Sequence, residues 1–361
     1  MFELDLTAEL DRQLTVCNAC RYCEGFCAVF GAAQLRTAIG DGDVAYLANL
    51  CHDCRMCYDA CMFTPPHDYA IDVPAAMAAA RVATYERFAK PAALASTARS
   101  PRALATAAVV ASIAIVALAV VALSGPAALW TRVLGPGAFY RVLPYAVMLG
   151  GGFAVTGYAI ACAIAGALAY ARTIGGGARF VTRASLGAAL HDALALTYLR
   201  GGGAGCYDEH RGSGRRRFFH GLVFWGFLAD LAATIAAGVE QDLFHRLPPY
   251  PLLSVPVVLG TGGGIALAAG VAGLVVVKRR SDPRPMEPRS VALDYAFLAM
   301  LELAALTGLA LLAFRTTSAM GTLLAVHLGS VGGLFVTAPY GKFVHFVYRF
   351  IALVKHAHER A

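Results

Sequence analysis

The stretch "CNACRYCEGFC", Cys17 to Cys27, places four cysteines in the pattern C-x2-C-x2-C-x3-C. The same pattern returns in "CHDCRMCYDAC", Cys51 to Cys61. We call these stretches comb one and comb two. Proteins that hold two cubane iron–sulfur clusters use this run, since three closely spaced thiolates wrap one cluster and the fourth cysteine ligates the other. The combs therefore predict a small domain built around two [4Fe-4S] clusters.

The pattern also predicts that the combs exchange their fourth ligands. The first cluster is expected to take Cys17, Cys20, Cys23 and Cys61, and the second Cys51, Cys54, Cys57 and Cys27. The alternative is structural zinc. Zinc sites commonly pair two C-x2-C arms, with four ligands in all, whereas each comb already carries four cysteines. The spacing therefore favours iron–sulfur clusters, whose assembly would be coupled to folding of the domain.

The composition separates this head from a membrane domain. The chain has 361 residues, of which 58% are hydrophobic and 15% charged, and its mean hydropathy is +0.60. Residues 1–100 hold eight of the ten cysteines and no apolar run long enough to span a bilayer. We predict an all-α protein with a two-cluster head, residues 1–100, and a polytopic membrane domain, residues 101–361. The helical linker between the combs favours an α-helical ferredoxin-type head.

Six apolar stretches follow, each near the length of about 20 residues that a transmembrane helix needs. They lie at about 104–123, 143–169, 218–238, 252–277, 294–314 and 321–338. Lys and Arg are concentrated in residues 170–217, 278–292 and the tail after the sixth stretch, and the alternate loops are poorer in them. The positive-inside rule therefore puts both termini and the head on the cytoplasmic side of the inner membrane. Within the first basic loop, "SLGAALHDALALTYLR" predicts an amphipathic helix able to lie on a membrane surface.

The cytoplasmic assignment agrees with the start of the chain and with the use of cysteine. "MFELDLTAEL" carries acids where a signal peptide would carry positive charge, and no apolar segment follows it. A reducing compartment disfavours disulfides and favours cluster ligation. The net charge of +7 falls mainly in loops that flank the spans, so it points to the lipid bilayer rather than to nucleic acid.

Histidines in and near the spans are candidate haem ligands, since histidine pairs across helices hold b-type haem in membrane bundles. The candidates are His220, His327 and His345, with His245 as a fourth. Depth in the bilayer pairs His220 with His345, and His327 with His245. The alternative is one haem, held by His220 and either His327 or His345, so the number of haems, one or two, stays open. Gly329, Gly332 and Gly333 are expected to leave room for a flat macrocycle beside His327.

Other polar residues have two explanations each. Asp230 and Glu302 lie within spans, where they serve either proton uptake at a quinone site or an interhelical hydrogen bond. His52 lies within comb two and is expected either to be exposed or to tune a cluster through hydrogen bonds. His356 and His358 are expected in a solvated tail.

Several further stretches complete a recognisable order. After the double comb come "FTPPHDYAIDVP" (63–74), "HDALALTYLRGGGAGC" (191–206), "PPYPLLSVPVVLGTGGG" (248–264), "TLLAVHLG" (322–329) and "TAPYGKFVHFVYRF" (337–350). In this order the chain resembles, over nearly its whole length, the tricarballylate-utilisation protein B family, also called citrate-utilisation B-like. A more distant likeness is to the haem subunits of nitrate and heterodisulfide reductases.

The resemblance implies a membrane electron-transfer protein with two cubane clusters and haem b. Such a protein reoxidises the reduced flavin of a partner, an FAD-dependent tricarballylate dehydrogenase, and passes electrons to the quinone pool. The chain has no dinucleotide-binding fingerprint, so it is not expected to oxidise the organic acid itself. The first alternative is an anchor subunit of a heterodisulfide- or nitrate-reductase-like complex, in which electrons run from quinol towards the head. A transporter or redox sensor is the second alternative.

Overall fold

The N-terminal head consists of five helices joined by the two combs and a proline-rich turn. In this computed structural model, which describes residues 6–175, 177–199, 206–208 and 211–361, they are α1 (Leu6–Cys20), α2 (Ala28–Gln34), α3 (Asp41–Leu50), α4 (Met56–Asp59) and α5 (Val73–Phe88). Helix α1 carries Cys17 and Cys20 on its last turns. Cys27 is the N-cap of α2, so a helix does begin at the fourth cysteine of comb one.

Six helices of the described chain are long and apolar enough to cross a membrane. They are α6 (Pro101–Ser124), α8 (Tyr145–Thr173), α10 (Arg215–Asp242), α11 (Val255–Arg280), α12 (Pro288–Phe314) and α13 (Met320–Thr337), the last prolonged by a 3-10 turn to Tyr340. Each overlaps one predicted span. Proline at the first position of α6 and α12 suits a helix start, where the missing N–H has no partner to lose. The prediction of an all-α, six-span fold is confirmed.

The remaining elements lie at the two ends of the bundle. They are α7 (Ala138–Val142), α9 (Arg183–Leu194), a two-stranded antiparallel hairpin of β1 (Cys206–Asp208) and β2 (Arg211–Ser213), and α14 (His345–Glu359). A capping box of Thr182 and Ser185 begins α9. The amphipathic helix predicted in the first basic loop corresponds to α9. One of the helices that it packs against is α14.

Glycines bring the spanning helices into close contact. A Cβ added at Gly226 of α10 would lie 2.8 Å from the carbonyl oxygen of Gly263 in α11. One added at Gly329 of α13 would lie 2.4 Å from the Cα of Ile113 in α6. Small residues at helix interfaces permit such close approach of backbones in membranes.

This packing corrects one expectation. The space beside Gly329 and Gly333 is filled by α6, since a Cβ at Gly333 would lie 2.8 Å from the Cα of Val109. A Cβ at Gly332 would lie 3.6 Å from the Cβ of Ser112, on the same helix. The prediction of room for a macrocycle beside these glycines is therefore wrong. Their lack of side chains serves helix packing instead.

The head and the bundle share one hydrophobic core. Buried Tyr46 and Met77 of the head belong to the same cluster as Tyr170 at the end of α8 and Tyr348 of α14. The rings of Tyr170 and Tyr348 lie 5.1 Å apart. Because the chain returns to the head after its last span, the two predicted domains are continuous in space.

The C-terminal helix is the element that closes this core. His356 is only 4% exposed, and its ring lies 5.9 Å from that of Tyr198. Glu359 pairs with Arg36 of the head at 2.7 Å. The expectation of a solvated tail is therefore wrong for His356, whereas His358 is exposed. The short C-terminal segment is amphipathic, and its apolar face is covered by the head.

We predict that Gly329→Ala destabilises the bundle by about 1 to 3 kcal/mol, the usual cost of overpacking. The added methyl group meets the backbone of Ile113, which cannot rotate away. Thermal unfolding in detergent measures the effect. The matched control is Gly157→Ala on α8, where a Cβ meets nothing within 4 Å. Equal stability of the two variants would contradict the packing described for α6 and α13.

Candidate iron–sulfur and haem site

Comb one follows directly from the end of α1. The left-handed backbone of Arg21, φ 58°, turns the chain after Cys20 towards Cys23. The pKa of Cys17 is raised to about 12, first by burial and then by repulsion from Cys23, Cys61 and Cys20. The thiol that acts on Cys17 from outside comb one is therefore that of Cys61, at the end of comb two.

Comb two forms a tight loop between α3 and α4. Cys51 is the C-cap of α3, and Cys57 lies in α4. Between them Asp53 and Arg55 take the left-handed backbone conformation, with φ of 53° and 64°. This conformation is uncommon for residues with a side chain and marks a constrained loop. The loop turns three cysteines of the comb towards one side.

The thiols of comb two group with the last cysteine of comb one. Burial raises the pKa of Cys57 well above its usual value, and repulsion from Cys54, Cys27 and Cys51 follows, with Cys23 the weakest cause. The pKa of Cys27 is raised to about 12 by burial and then by Cys51. The three thiols with the largest electrostatic effect on Cys57 are thus the three predicted to share its cluster.

The eight thiols of the combs are the donor set that would hold iron–sulfur clusters. Within the described part of the chain, no three His, Cys, Asp or Glu side chains form a group able to hold one metal ion. A zinc ion draws its thiolates to about 2.3 Å. A cubane takes each of its four thiolates at a different iron, so its ligands stand farther apart. Buried thiols with raised pKa values need a positively charged partner to ionise, and iron supplies it.

A backbone amide points at one thiol of each set. The N–H of Asp53 donates to the Sγ of Cys51, and the N–H of Phe63 donates to the Sγ of Cys61, each at 3.4 Å. Hydrogen bonds to sulfur are among the influences that set the potential of an iron–sulfur cluster. The thiol of Cys27 also receives backbone hydrogen bonds from Val29 and Phe30, so the set that it joins has more of them.

Arginines from distant parts of the chain surround comb two. Arg81 of α5 and Arg349 of α14 both donate to the carbonyl oxygen of Cys51, at 2.9 Å and 2.5 Å. Arg216, in the first turn of α10, donates to the carbonyl oxygen of Asp53. Comb two is therefore bonded to the head, to a spanning helix and to the C-terminal helix at once.

Two of the predicted haem ligands come together beside these arginines. The pKa of His345 is lowered to about 3, chiefly by burial, then by Lys342, Arg349 and His220. Its Nδ1 donates to the carbonyl oxygen of Lys342 at 2.7 Å, which leaves Nε2 with its lone pair. A ligating histidine commonly donates its second ring N–H to a carbonyl in this way. The Nδ1 of His220 is buried and has no hydrogen-bond partner within the described structure.

His52 joins the same group. Burial lowers its pKa well below the usual value, followed by Arg349, Arg81, Arg216 and His220. Its ring lies 5.8 Å from that of Tyr198. His52, a residue of comb two, therefore lies close enough to His220 and to these three arginines for their charges to lower its pKa. Of the two explanations given to it, simple exposure is excluded.

The other two histidine candidates lie elsewhere. The Nδ1 of His327 lies 3.1 Å from the hydroxyl of Thr307, and that hydroxyl donates to the carbonyl of Leu303. His327 therefore packs against α12, with its ring next to Gly308. His245 is exposed in the loop after α10, in a left-handed conformation with φ of 55°.

Buried acids occur at several depths of the bundle. Asp294 is shared by Lys278, at 2.5 Å, and Lys342. The Oε2 of Glu302 is buried with no hydrogen-bond partner among the described residues. Asp230 lies so close to α11 that a Cβ at Gly263 would come within 2.5 Å of its Oδ1. Asp294 thus neutralises part of the charge of Lys278 and Lys342. Glu302 forms no such ion pair within the described residues.

Two sets of thiols in front of six membrane-length helices define a membrane-bound iron–sulfur protein. Residues 10–87 match the family described as Citrate utilization protein B Fer4-like domain, and residues 98–361 match Citrate utilization protein B. The Citrate utilization protein B of Escherichia coli is 43% identical over 362 residues, which cover 98% of this chain and 92% of that protein. The chain belongs to the citrate utilization protein B family. No solved structure matches it.

The sequence did not single out the residues that link the combs to the membrane. Arg81, Arg216 and Arg349 are separated by more than a hundred positions from one to the next, so no spacing relates them. Lys342 and Asp294 are also far apart in the chain. The one usable signal was the presence of Asp294 within an apolar span, since a buried acid demands a partner.

The crossed ligand assignment leads to a sharp prediction. Cys27→Ala should remove the same electron paramagnetic resonance signal as Cys57→Ala, and Cys61→Ala the same signal as Cys17→Ala. The measurement is made on dithionite-reduced protein, together with the iron content. Cys162→Ala, a change of a thiol in α8, serves as the control and should keep both signals. If Cys27→Ala instead matched Cys17→Ala, each comb would hold its own cluster.

Proposed function

We propose that this protein transfers electrons from the reduced flavin of a partner dehydrogenase to the membrane quinone pool. Two [4Fe-4S] clusters and haem b supply the one-electron carriers. The observation that carries the proposal is that Arg216 and Arg349, one helical turn from His220 and His345 respectively, donate to backbone carbonyls of comb two at the end of the spanning helices. Following the family resemblance, the partner is an FAD-dependent flavoprotein of the tricarballylate dehydrogenase type.

Electrons enter at comb one. Cys20 is exposed, and Tyr22 and Met62 beside the thiols of this set are 68% and 76% exposed. Cys54, in contrast, is buried. The set of Cys17 therefore faces outward to a soluble donor. Comb two faces the bundle, so the proposed order is outer cluster, inner cluster, haem.

His220 and His345 are the residues proposed to hold haem b. They approach one another from α10 and α14, and Nε2 of His345 is the nitrogen left for iron. Arg216, Arg349 and Lys342 supply positive charge in the same region, which suits the propionates of a haem. His327 with His245 remains the prediction for a second haem. The contact of His327 with Thr307 fixes its ring orientation in that case.

The bundle supports the proposed orientation. The basic loop that contains α9 packs with α14 against the head, so the positive loops and the combs lie at one end of the molecule. The positive-inside rule assigns that end to the cytoplasm. At the other end of the electron path, the unpartnered carboxylate of Glu302 is the residue we propose for proton uptake when quinone is reduced.

We predict that His220→Ala and His345→Ala each abolish the α-band of the haem proposed for this pair in the dithionite-reduced protein and keep the cluster signals. Each variant removes one nitrogen that would bind the haem iron. Visible spectroscopy and pyridine haemochrome quantitation provide the measurement. His358→Ala, on the same helix as His345 but exposed, is the matched control. An intact band in either variant would remove that histidine from the ligand pair.

A second prediction tests electron transfer itself. Liposomes that contain the protein and decyl-ubiquinone should reduce the quinone when reduced flavin mononucleotide is supplied from the side of the combs. Cys20→Ala should slow the protein-dependent rate at least about tenfold, since each tenfold corresponds to only 1.36 kcal/mol of barrier. Cys162→Ala should retain the full rate. Undiminished quinone reduction by Cys20→Ala would contradict the proposed route through comb one.

A further inference from the structure

One backbone oxygen beside the inner thiol set receives two buried guanidinium groups. The carbonyl oxygen of Cys51 accepts from Arg81 at 2.9 Å and from Arg349 at 2.5 Å. Arg81 is only 4% exposed, and its Nε donates to the carbonyl of Ala48 at 2.9 Å. The Nε of Arg349 is buried without a hydrogen-bond partner in the described structure. Both side chains thus bring charge to the thiol set and donate their hydrogen bonds to backbone carbonyls.

Nearby carboxylates do not cancel this charge by direct pairing. Asp53 lies 3.8 Å from Arg55, and Asp294 is held by Lys278 and Lys342. In the ranges that the structure describes, no ion pair joins Arg81 or Arg349 to a carboxylate. Burying a charge is costly unless an opposite charge compensates it. Among the thiols, that of Cys51 acts on both guanidiniums, and the more distant Asp53 and Asp294 add a weaker attraction on Arg81.

The outer thiol set has no such partner. Comb one carries Arg21 and Glu24, which pair with each other at 3.2 Å and are 60% and 47% exposed. Their charges cancel and are screened by water. The sets also differ in backbone N–H groups, since the inner set accepts from Asp53 at Cys51 and from Val29 and Phe30 at Cys27, whereas the outer set accepts from Phe63 at Cys61. Arg81 and Arg349, together with Arg216 on the carbonyl of Asp53, add positive side chains beside the inner set alone.

We infer that Arg81 and Arg349 raise the reduction potential of the inner cluster above that of the outer cluster, so that electrons run from comb one towards the membrane. The inference rests on the proposed function and gives it a direction. A thiolate-bound cluster is negatively charged and gains a further negative charge when it is reduced. Cations fixed nearby stabilise the reduced form, and in a buried site water screens them little. Burial alone opposes reduction, and the two guanidiniums outweigh it.

The test is a redox titration of the full-length protein in detergent, followed by electron paramagnetic resonance. Cys20→Ser alters a ligand of the outer cluster and so identifies its signal. Arg349→Gln removes one charge, and Arg81→Gln the other. Arg349→Lys keeps the charge, and Arg21→Gln removes a charge from comb one. If Arg81→Gln fails to assemble its clusters, Arg349→Gln decides the question.

We expect the signal untouched by Cys20→Ser to titrate at the higher potential in the unaltered protein. Arg349→Gln should shift its reduction equilibrium about tenfold towards the oxidised form, equivalent to about 59 mV for a one-electron couple. Arg349→Lys should keep most of the potential, and Arg21→Gln should shift neither signal. A reversed order of potentials, an equal shift of both signals, or no shift in either arginine variant overturns the inference. Fewer than two cluster signals in the unaltered protein would instead overturn the proposed function and this inference together.

Discussion

The carbonyl oxygen of Cys51 is the point at which the two halves of the molecule are joined. It has two lone pairs, and each accepts from a charged donor, one from the head and one from the C-terminal helix. Hydrogen bonds from charged groups contribute about 1.5 to 3 kcal/mol each. Because α14 follows the last span, this oxygen ties comb two to the end of the bundle. The core around Tyr170 and Tyr348 then has a fixed position relative to the thiols.

Local patterns foretold much of the fold and the thiol chemistry. The six spans follow from the length of apolar runs, and the repeated comb names eight cysteines. Local patterns did not predict the tertiary contacts. The C-terminal segment is charged enough to suggest a solvated tail, yet the apolar face of α14 is buried against the head. The glycines of α13 suggested a cavity, but a missing side chain serves equally for helix contact, and only the position of Ile113 decides between these uses.

Because α6 packs against Gly329 and Gly333, the candidate haem site is not beside these glycines. It lies at the end of the bundle that contacts the head. Without space beside these glycines, the polar contact of His327 is with Thr307 of α12. His220 and His345 instead lie where buried cations are concentrated and where comb two begins. A carrier held there would be next to the inner thiols. The sequence could match the depths of these two histidines, but not the contacts that Arg216 and Arg349 make with comb two.

The charge pattern around the combs involves two opposing effects. Burial of a cluster disfavours its more negative, reduced form, and this effect is greater for the inner set because comb one meets water at Cys20. Opposing it, two unit charges about 12 Å apart at an effective dielectric constant of about 20 interact by about 1.4 kcal/mol. Two guanidiniums therefore contribute about 3 kcal/mol, which corresponds to about a hundredfold in an equilibrium constant at about 1.4 kcal/mol per tenfold. One of these charges comes from a helix that forms only after the last span is complete, so the tuning of the inner site depends on the whole bundle being folded.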